Sequence, residues 1–529
     1  MIIPRVKSET RSKQTATFSL PLKVFCADAP STDLLAVWLE FRPDLPLLLC
    51  DARAEADVVL SVQPNCSRFD EFYSLSVTES AVNVIFKDYL GGRNALATLS
   101  QLLVVADGTV TCPVLRISDW PDSSFRALML DPARRFIPVP DLKRCILRMA
   151  MCKMTKLRLH LSDAGGYCLR SEAYPDFPSQ DGLYYSVEEM KEVIAYAATL
   201  GIDIIPEFDI PAHARVLLQY APHLSCEVEI PENMTNYVAC VSNEALYEFL
   251  TPIFAELAEI FPYEYIHIGT DEIAMRDTDH FHRWNECPRC QAFCRENGIE
   301  NETELFYYFL RRMYGIITSL GKKMMMWNDN IDISKSPELP RDILIEFWRV
   351  AGKNRGPREG CSMARFLEEG FTVVNADYPN TYIDLYIRWE KLRTWNPVIA
   401  PADLPEAAHQ ILGGDMCAWG DTRPNINYYD FIFLAALPAF ADRTWKHAPI
   451  LDDKEFELGL TRHILGQSVP EGFNLFDTVN GIIITYKDLT FFRPNADLAS
   501  FQGVLDGITP ENEIQKEAIA VYGKYVKNA

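Results

Sequence analysis

Apolar and polar positions along the chain follow two regimes, and the change falls near residue 125. Before it, short apolar runs (LPLKVF, DVVLSV, YSLSV, VNVIFK) precede a helical stretch around NALATLSQLLVV. They predict a small α/β layer over residues 17–120. Residues 1–16 are polar and predict a ragged, disordered end. After it, strand-like runs alternate with helix-like runs, the pattern of βα units on a parallel sheet. The strand runs are FRALMLDP (125–132), KLRLHLSD (156–163), IDIIPEFD (202–209), YIHIGTDE (265–272), KMMMWNDN (323–330), DILIEFWR (342–349), TVVNADYP (372–379) and ILGGDMCAWG (411–420). One intervening helix carries Val187, Met190, Val193, Ile194, Ala197 and Leu200 on one face, with Ser186 and Glu189 as a capping box. Another carries Leu305, Phe306, Phe309, Leu310, Met313, Ile316 and Ile317. A third, 243–258, contains Pro252, which predicts a kink or a split. Eight strands with crossover helices fit a (β/α)8 TIM barrel over residues 121–446, with a doubly wound sheet as the alternative. Residues 447–529 predict an extension of helices or loops packed on the barrel.

In a barrel the strand ends of one face build the site, and here seven of those ends carry acids or aromatics. They are Asp163; Glu207 and Asp209, then His213; Asp271 and Glu272; Trp327, Asn328 and Asp329; Glu346 and Trp348; Asp377, Tyr382 and Asp384; Asp415, Trp419 and Asp421. One aspartate at a strand end is commonly a helix cap, and one tryptophan is commonly core. The whole set on one face points instead to sugar chemistry. Carboxylates bind hydroxyls and run acid/base steps, and indole faces stack on sugar rings. A divalent ion on Glu207, Asp209 and His213 is the competing reading of the same cleft. No GxSxG elbow, Walker loop or HExxH occurs.

A net charge of −22 argues against binding the nucleic-acid backbone and against docking on an anionic membrane, and no apolar run is long enough to span one. No secretory leader is visible and the 14 cysteines form no dense framework. A cytoplasmic setting is expected, with a removed leader and secretion or periplasm as the alternative. Cys287, Cys290 and Cys294 in NECPRCQAFC suggest a zinc knuckle, but no second CxxC or histidine pair supplies further ligands. A reduced thiol cluster at a helix start is therefore expected, with no metal and no cofactor.

Taken in order, these motifs resemble glycoside hydrolase family 20, the β-N-acetylhexosaminidases, over residues 17–446. FRALMLDPARRFIPV, KLRLHLSD with SEAYP, GIDIIPEFDIPAHA, HIGTDE, WNDN, EFW, TYID, GGDMCAWGD and ALPAFADRTW each look like a family signature. The layer at 17–120 is similar to the domain that precedes the family's barrel. The resemblance implies an exo-acting enzyme that removes terminal β-linked GlcNAc or GalNAc with retention. In that mechanism the substrate's own acetamide oxygen attacks and forms an oxazolinium ion. It further implies that Glu272 is the acid/base, that Asp271 orients the acetamide and that Tyr382 donates to its oxygen. Trp327, Trp348 and Trp419 would box the acetamide methyl. Arg126 would contact the sugar, most directly at O3 and O4, with Asp384 beside it. His213 and Asp163 would support the acid, Asp421 would face the O4/O6 side, and Trp395 would stack on a leaving-group sugar. Neighbouring strand residues point to opposite faces, so Asp271 and Glu272 can share one site only if the backbone twists there. The expected partner is an oligosaccharide or small substrate ending in β-N-acetylhexosamine, with no nucleic acid and no membrane. The oligomeric state is open, a homodimer included.

Departures from the family pattern are Gly269-Thr270 for Gly-Gly, Pro211-Ala212-His213 for Pro-Gly-His, Ala164-Gly165-Gly166 for an acid and glutamine, and Asp421 for glutamate. They leave the preferred sugar and leaving group open. Two other classes compete: a carbohydrate-binding barrel that has lost turnover, and a different barrel hydrolase or lyase, metal-dependent or not.

Overall fold

The computed structural model describes residues 1–465 except 230–234, 274–279, 282–283, 330, 332–338, 349–361, 379, 383–388, 400–403 and 421–425. Two sheets organise it. The first mixes parallel and antiparallel strands between Ser8 and Asp119 and carries the helices Ala29–Phe41 and Tyr89–Leu102. The second is a closed parallel barrel. Its strands are β1 (Phe125–Leu130), β2 (Lys156–Asp163), β3 (Asp203–Phe208), β4 (Tyr265–His267), β5 (Lys323–Trp327), β6 (Leu344–Phe347), β7 (Thr372–Asn375) and β8 (Ile411–Ala418). Each pairs in parallel with the next, and β8 pairs with β1 to close the ring. This is the expected barrel, and closure excludes the doubly wound sheet.

Two expectations need correction. The polar residues 1–16 are not a ragged end: Ser8–Ser19 is a strand paired antiparallel with Thr109–Asp119. Its first eight side chains are all exposed, so it has no apolar pattern, and backbone pairing alone reveals it. Pro252 does not split its helix, which runs from Glu244 to Ile260 with Leu246, Phe249, Leu250, Ile253, Phe254 and Leu257 buried. Burial along that face outweighs the one backbone hydrogen bond that proline removes. The capping box of Ser186 and Glu189 is formed as expected.

Inside the barrel the side chains stack in layers, because every second residue of a strand faces inward. Phe125, Ala127, Ile205, Met325, Leu344 and Val374 form an apolar plug. Two residues further along their strands, Glu207 follows Ile205, Glu346 follows Leu344 and Trp327 follows Met325. Glu207 and Glu346 join Asp415 around the guanidinium of Arg158, all four fully buried. Arg158 lies 4.5 Å from the ring centre of Trp327, so the charged layer carries an indole as its roof.

The first domain docks at the other end of the barrel. Arg93 donates to the carbonyls of Met154 and Leu200, just before β2 and β3. Lys153 and Trp445 both reach Asp119, at 3.0 Å. The N-terminal residues close the joint: Arg5 pairs with Asp442 at 2.8 Å, and Lys446 donates to the Val6 carbonyl. Helix Asp453–Leu465 covers this region, with Gly459 against Met1 and Ile3. Residues 466–529 lie outside the described residues.

Candidate active site

The acid pair follows from a broken strand. Strand β4 is only three residues long. Beyond it Gly269, Thr270 and Glu272 adopt φ of +69°, +86° and +55°. This is the twist the pairing of Asp271 with Glu272 required. Both carboxylates now face one imidazole, with Asp271 Oδ2 at 3.4 Å and Glu272 Oε2 at 3.7 Å from His213 Nε2. Glycine is needed at 269, since a Cβ there would sit 1.8 Å from Asp209 Oδ1. Threonine at 270 is a β-branched residue in a region that favours glycine, held by burial and by its hydroxyl donating to the Trp327 carbonyl at 3.4 Å. The Glu272 N–H donates to Asp329 Oδ2 at 2.8 Å, which fixes the acid's backbone to the end of β5.

His213 is the hub. Its Nδ1 lies 2.9 Å from Asp163 and also meets the Tyr237 hydroxyl. Burial opposes a charge on this imidazole, but Asp271, Asp209 and Asp163 outweigh it and hold its pKa well above the usual histidine value. Asp163 is held well below the carboxylate range: burial works upward, and Arg134 and His213 prevail. Asp209 goes the other way, raised by burial and by the charge of Asp271. Asp271 is lowered, because His213 and a hydrogen bond from Asp209 overcome its burial. The two neighbouring carboxyls are thus pushed in opposite directions, as close carboxylates are.

Contacts run on inward. Asp163 meets His160 at 3.0 Å, His160 meets Glu207 at 3.1 Å, and Glu207 meets His267 at 3.2 Å. Glu207 is therefore committed to the barrel interior, away from the competing metal set of Glu207, Asp209 and His213. Ligand atoms of Asp209, His213 and Asp271 do lie within 4.8 Å of one another, as do those of His160, Asp163 and Asp209. A metal at either point must first displace a proton, because His160 and His213 are both raised above the usual histidine value.

Four aromatic residues close a ring over the barrel interior. Centroids are 6.2 Å apart for Trp327 and Trp348, 5.9 Å for Trp348 and Tyr382, 6.3 Å for Tyr382 and Trp419, and 6.0 Å for Trp419 and Trp327. Trp327 is fully buried and donates to Glu207 at 3.2 Å, so it is the floor. Tyr382 is brought in because the chain after β7 returns against β8, where the Cys417 N–H donates to the Thr381 carbonyl. Rings at these separations are in packing contact and together form an apolar wall.

Arg126 is not in this site. It lies at the start of β1, at the opposite end of the barrel, bonded to Glu71 at 2.6 Å and to the carbonyls of Ser123 and Lys153. The arginine at the mouth is Arg134, four residues beyond the end of β1, which pairs with Asp131 at 2.9 Å and Asp163 at 2.7 Å and lies over Trp419 at 5.0 Å. Its signal was present in PARRF, but the sequence does not show which end of the barrel each arginine of FRALMLDPARRF occupies. Asp209 and Asp329 were read as acids at strand ends without a role of their own, and Tyr237 was missed. Trp395 is core, stacked on Phe440 at 5.3 Å. Asp384 and Asp421 lie outside the described residues.

Residues 124–448 match glycosyl hydrolase family 20, catalytic domain. Among known proteins, a beta-hexosaminidase of Porphyromonas gingivalis is 26% identical over 459 residues, spanning 77% of this chain and 56% of that one. A beta-hexosaminidase of Vibrio furnissii is 28% identical, spanning 73% of this chain and 67% of that one. The human beta-hexosaminidase subunit beta is 27% identical, spanning 77% and 73%. Among solved structures, the GH20 exo beta-N-acetylglucosaminidase of Vibrio harveyi, in complex with N-acetylglucosamine, superposes with a TM-score of 0.76 at 25% identity, covering 88% of this chain and 76% of that one. A Streptomyces plicatus beta-hexosaminidase shares the fold, with a TM-score of 0.71 at 21% identity, covering 87% and 93%.

Proposed function

The chain belongs to glycosyl hydrolase family 20, and on that premise we propose that it is an exo-acting β-N-acetylhexosaminidase. It releases terminal β-linked N-acetylhexosamine with retention, and the substrate's acetamide oxygen is the nucleophile. The observation that carries the reading is the aromatic ring of Trp327, Trp348, Tyr382 and Trp419 beside the strand end that bears Asp271 and Glu272. An aromatic wall next to an acid pair suits a methyl-bearing group that must be held in attack position.

The roles follow from placement. Glu272, half-buried and facing the charged His213, protonates the leaving oxygen and later takes the proton back from water. Asp271, kept ionised, accepts the acetamide N–H and offsets the charge that grows as the oxazolinium ring forms. Tyr382 donates its hydroxyl to the acetamide oxygen, and Trp327, Trp348 and Trp419 wall in the methyl. His213 and Asp163 position the acid pair, and Arg134 takes the hydroxyl contact first expected of Arg126. Asp384 and Asp421 keep their proposed sugar contacts. The substrate is an oligosaccharide or glycoside ending in β-GlcNAc or β-GalNAc, and a reducing, cytoplasmic setting suits cysteines that form no disulfide among the described residues.

Release of 4-nitrophenol from the two β-glycosides tests this. Wild type turns over, a thiazoline mimic of the oxazoline inhibits it, and Glu272→Gln loses about 10²–10⁴-fold in kcat. Arg134→Ala raises KM, while Arg126→Ala leaves KM unchanged in the protein that folds. A folded wild type that turns over neither glycoside sinks the proposal in favour of a binding barrel. Intact mass of the native N-terminus checks the setting, since evidence of a cleaved leader would contradict it.

A further inference from the structure

Cys287 and Cys290, left as a thiol cluster by the sequence, do not stand alone. The fold brings two solitary cysteines, Cys226 and Cys240, to the same point, and the sulfurs of all four lie within 4.8 Å of one another. Cys294, one helical turn further on, is not among them. Cys240, Cys287 and Cys290 are at most 1% exposed, and Cys226 is half-buried. We propose that Cys226, Cys240, Cys287 and Cys290 form a tetrathiolate zinc site.

The geometry fits. With Zn–S bonds of about 2.3 Å, a tetrahedron places its sulfurs about 3.8 Å apart; Cys240 and Cys290 are 3.6 Å apart. Four sulfurs converging on one point are more than a disulfide can use, and none of the four is in one. Cys287 caps helix Pro288–Asn297 and Cys290 lies in its first turn, so the CxxC spacing presents both sulfurs from one helix start. The outer contacts are those of thiolates. The Glu227 N–H donates to Cys287 Sγ at 3.3 Å, and the Ser242 hydroxyl donates to Cys290 Sγ at 3.2 Å. Hydrogen bonds to ligating sulfur are what outer partners of a metal supply. Four soft thiolates in tetrahedral array select zinc over hard cations.

The location gives the metal a purpose. Cys226 and Cys240 belong to the connection after β3, which also carries His213 and Tyr237. Cys287 and Cys290 follow the connection that begins at Asp271 and Glu272. Zinc would tie together the two segments whose relative position sets the distance from His213 to the acid pair. Trp284 reinforces the tie by donating to the Ala239 carbonyl at 3.0 Å.

Metal content of the full chain, purified under reductant without added metal, tests the site independently of activity. A single zinc per chain is expected, replaceable by cobalt with the visible bands of a tetrahedral thiolate complex. Cys287→Ser should bring zinc to background and lower Tm, while Cys294→Ser retains it. If Cys287→Ser does not fold, wild type still decides: its four clustered thiols should resist a thiol reagent until a strong chelator removes the metal. Wild type that carries no zinc, and takes up none when zinc is supplied under reductant, overturns the proposal. So does a Cys240–Cys290 disulfide in protein never exposed to oxidant, or loss of the metal in Cys294→Ser.

Discussion

Single residues decide whether Asp271 and Glu272 share a site. Gly269 holds a φ of +69°, and Asp209 occupies the space where its Cβ would be. Gly269→Ala should cost about 1–2 kcal/mol for the left-handed backbone alone. Because it also displaces Asp209, kcat should fall about 10²-fold, the penalty of a small misplacement. Melting curves and kcat check this, and unchanged turnover in the alanine variant would sink the argument. Much of this site was legible from residue types at strand ends: His213, Asp163 and the three tryptophans are where a barrel reading puts them. What was hidden was direction along a strand. Arg126 and Arg134 are eight positions apart in one motif, yet one faces the first domain and the other faces Trp419.

At the scale of the element, β2 does two jobs by alternation. Leu157, Leu159 and Leu161 pack in the large core, while Arg158 and His160 enter the charged layers of the barrel interior. Arg158→Met keeps the stem but strands Glu207, Glu346 and Asp415 without their guanidinium. Removing one partner of a buried ion cluster costs about 3–5 kcal/mol, so urea denaturation should show a loss of that size. A neutral outcome would mean that the carboxyl groups neutralise without penalty. The strands were readable because their apolar runs are continuous, as in any sheet buried on both faces. Two elements were unreadable for physical reasons. Strand β4 stops early because backbone dihedrals past it, not side-chain pattern, end the ladder. The strand Ser8–Ser19 is exposed over its first eight residues, so a period of two shows only at its end, in Ala16 and Phe18.

For the whole molecule, buried histidines set opposing limits. His160 is raised to about 10; burial opposes this, but Glu207 and Asp131 outweigh it. Its stabilising contribution is complete below the unfolded value of 6.5 and is lost as pH rises through about 10, because only the unfolded chain releases the proton in between. His447, at the joint between domains, is lowered to about 4 by burial. Between its unfolded value of 6.5 and about 4 only the unfolded chain gains a proton, so stability falls as pH falls. Calorimetric Tm against pH should therefore show a maximum with both limbs declining, and His447→Asn should flatten the acid limb. A monotonic curve would refute this balance. The pairing of distant segments was beyond the sequence, since Cys226 and Cys287, or Arg5 and Asp442, carry no mark of each other. That last pair has a consequence for synthesis. Arg5 leaves the ribosome 437 residues before Asp442. That part of the seam between the domains can be sewn only after the segment bearing Asp442 emerges. A chain stalled before that point already seats Ile3 on Gln101 and Lys7 on Asp119 but leaves Arg5 without its carboxylate, so its first residues are held less firmly against a protease than in the finished protein.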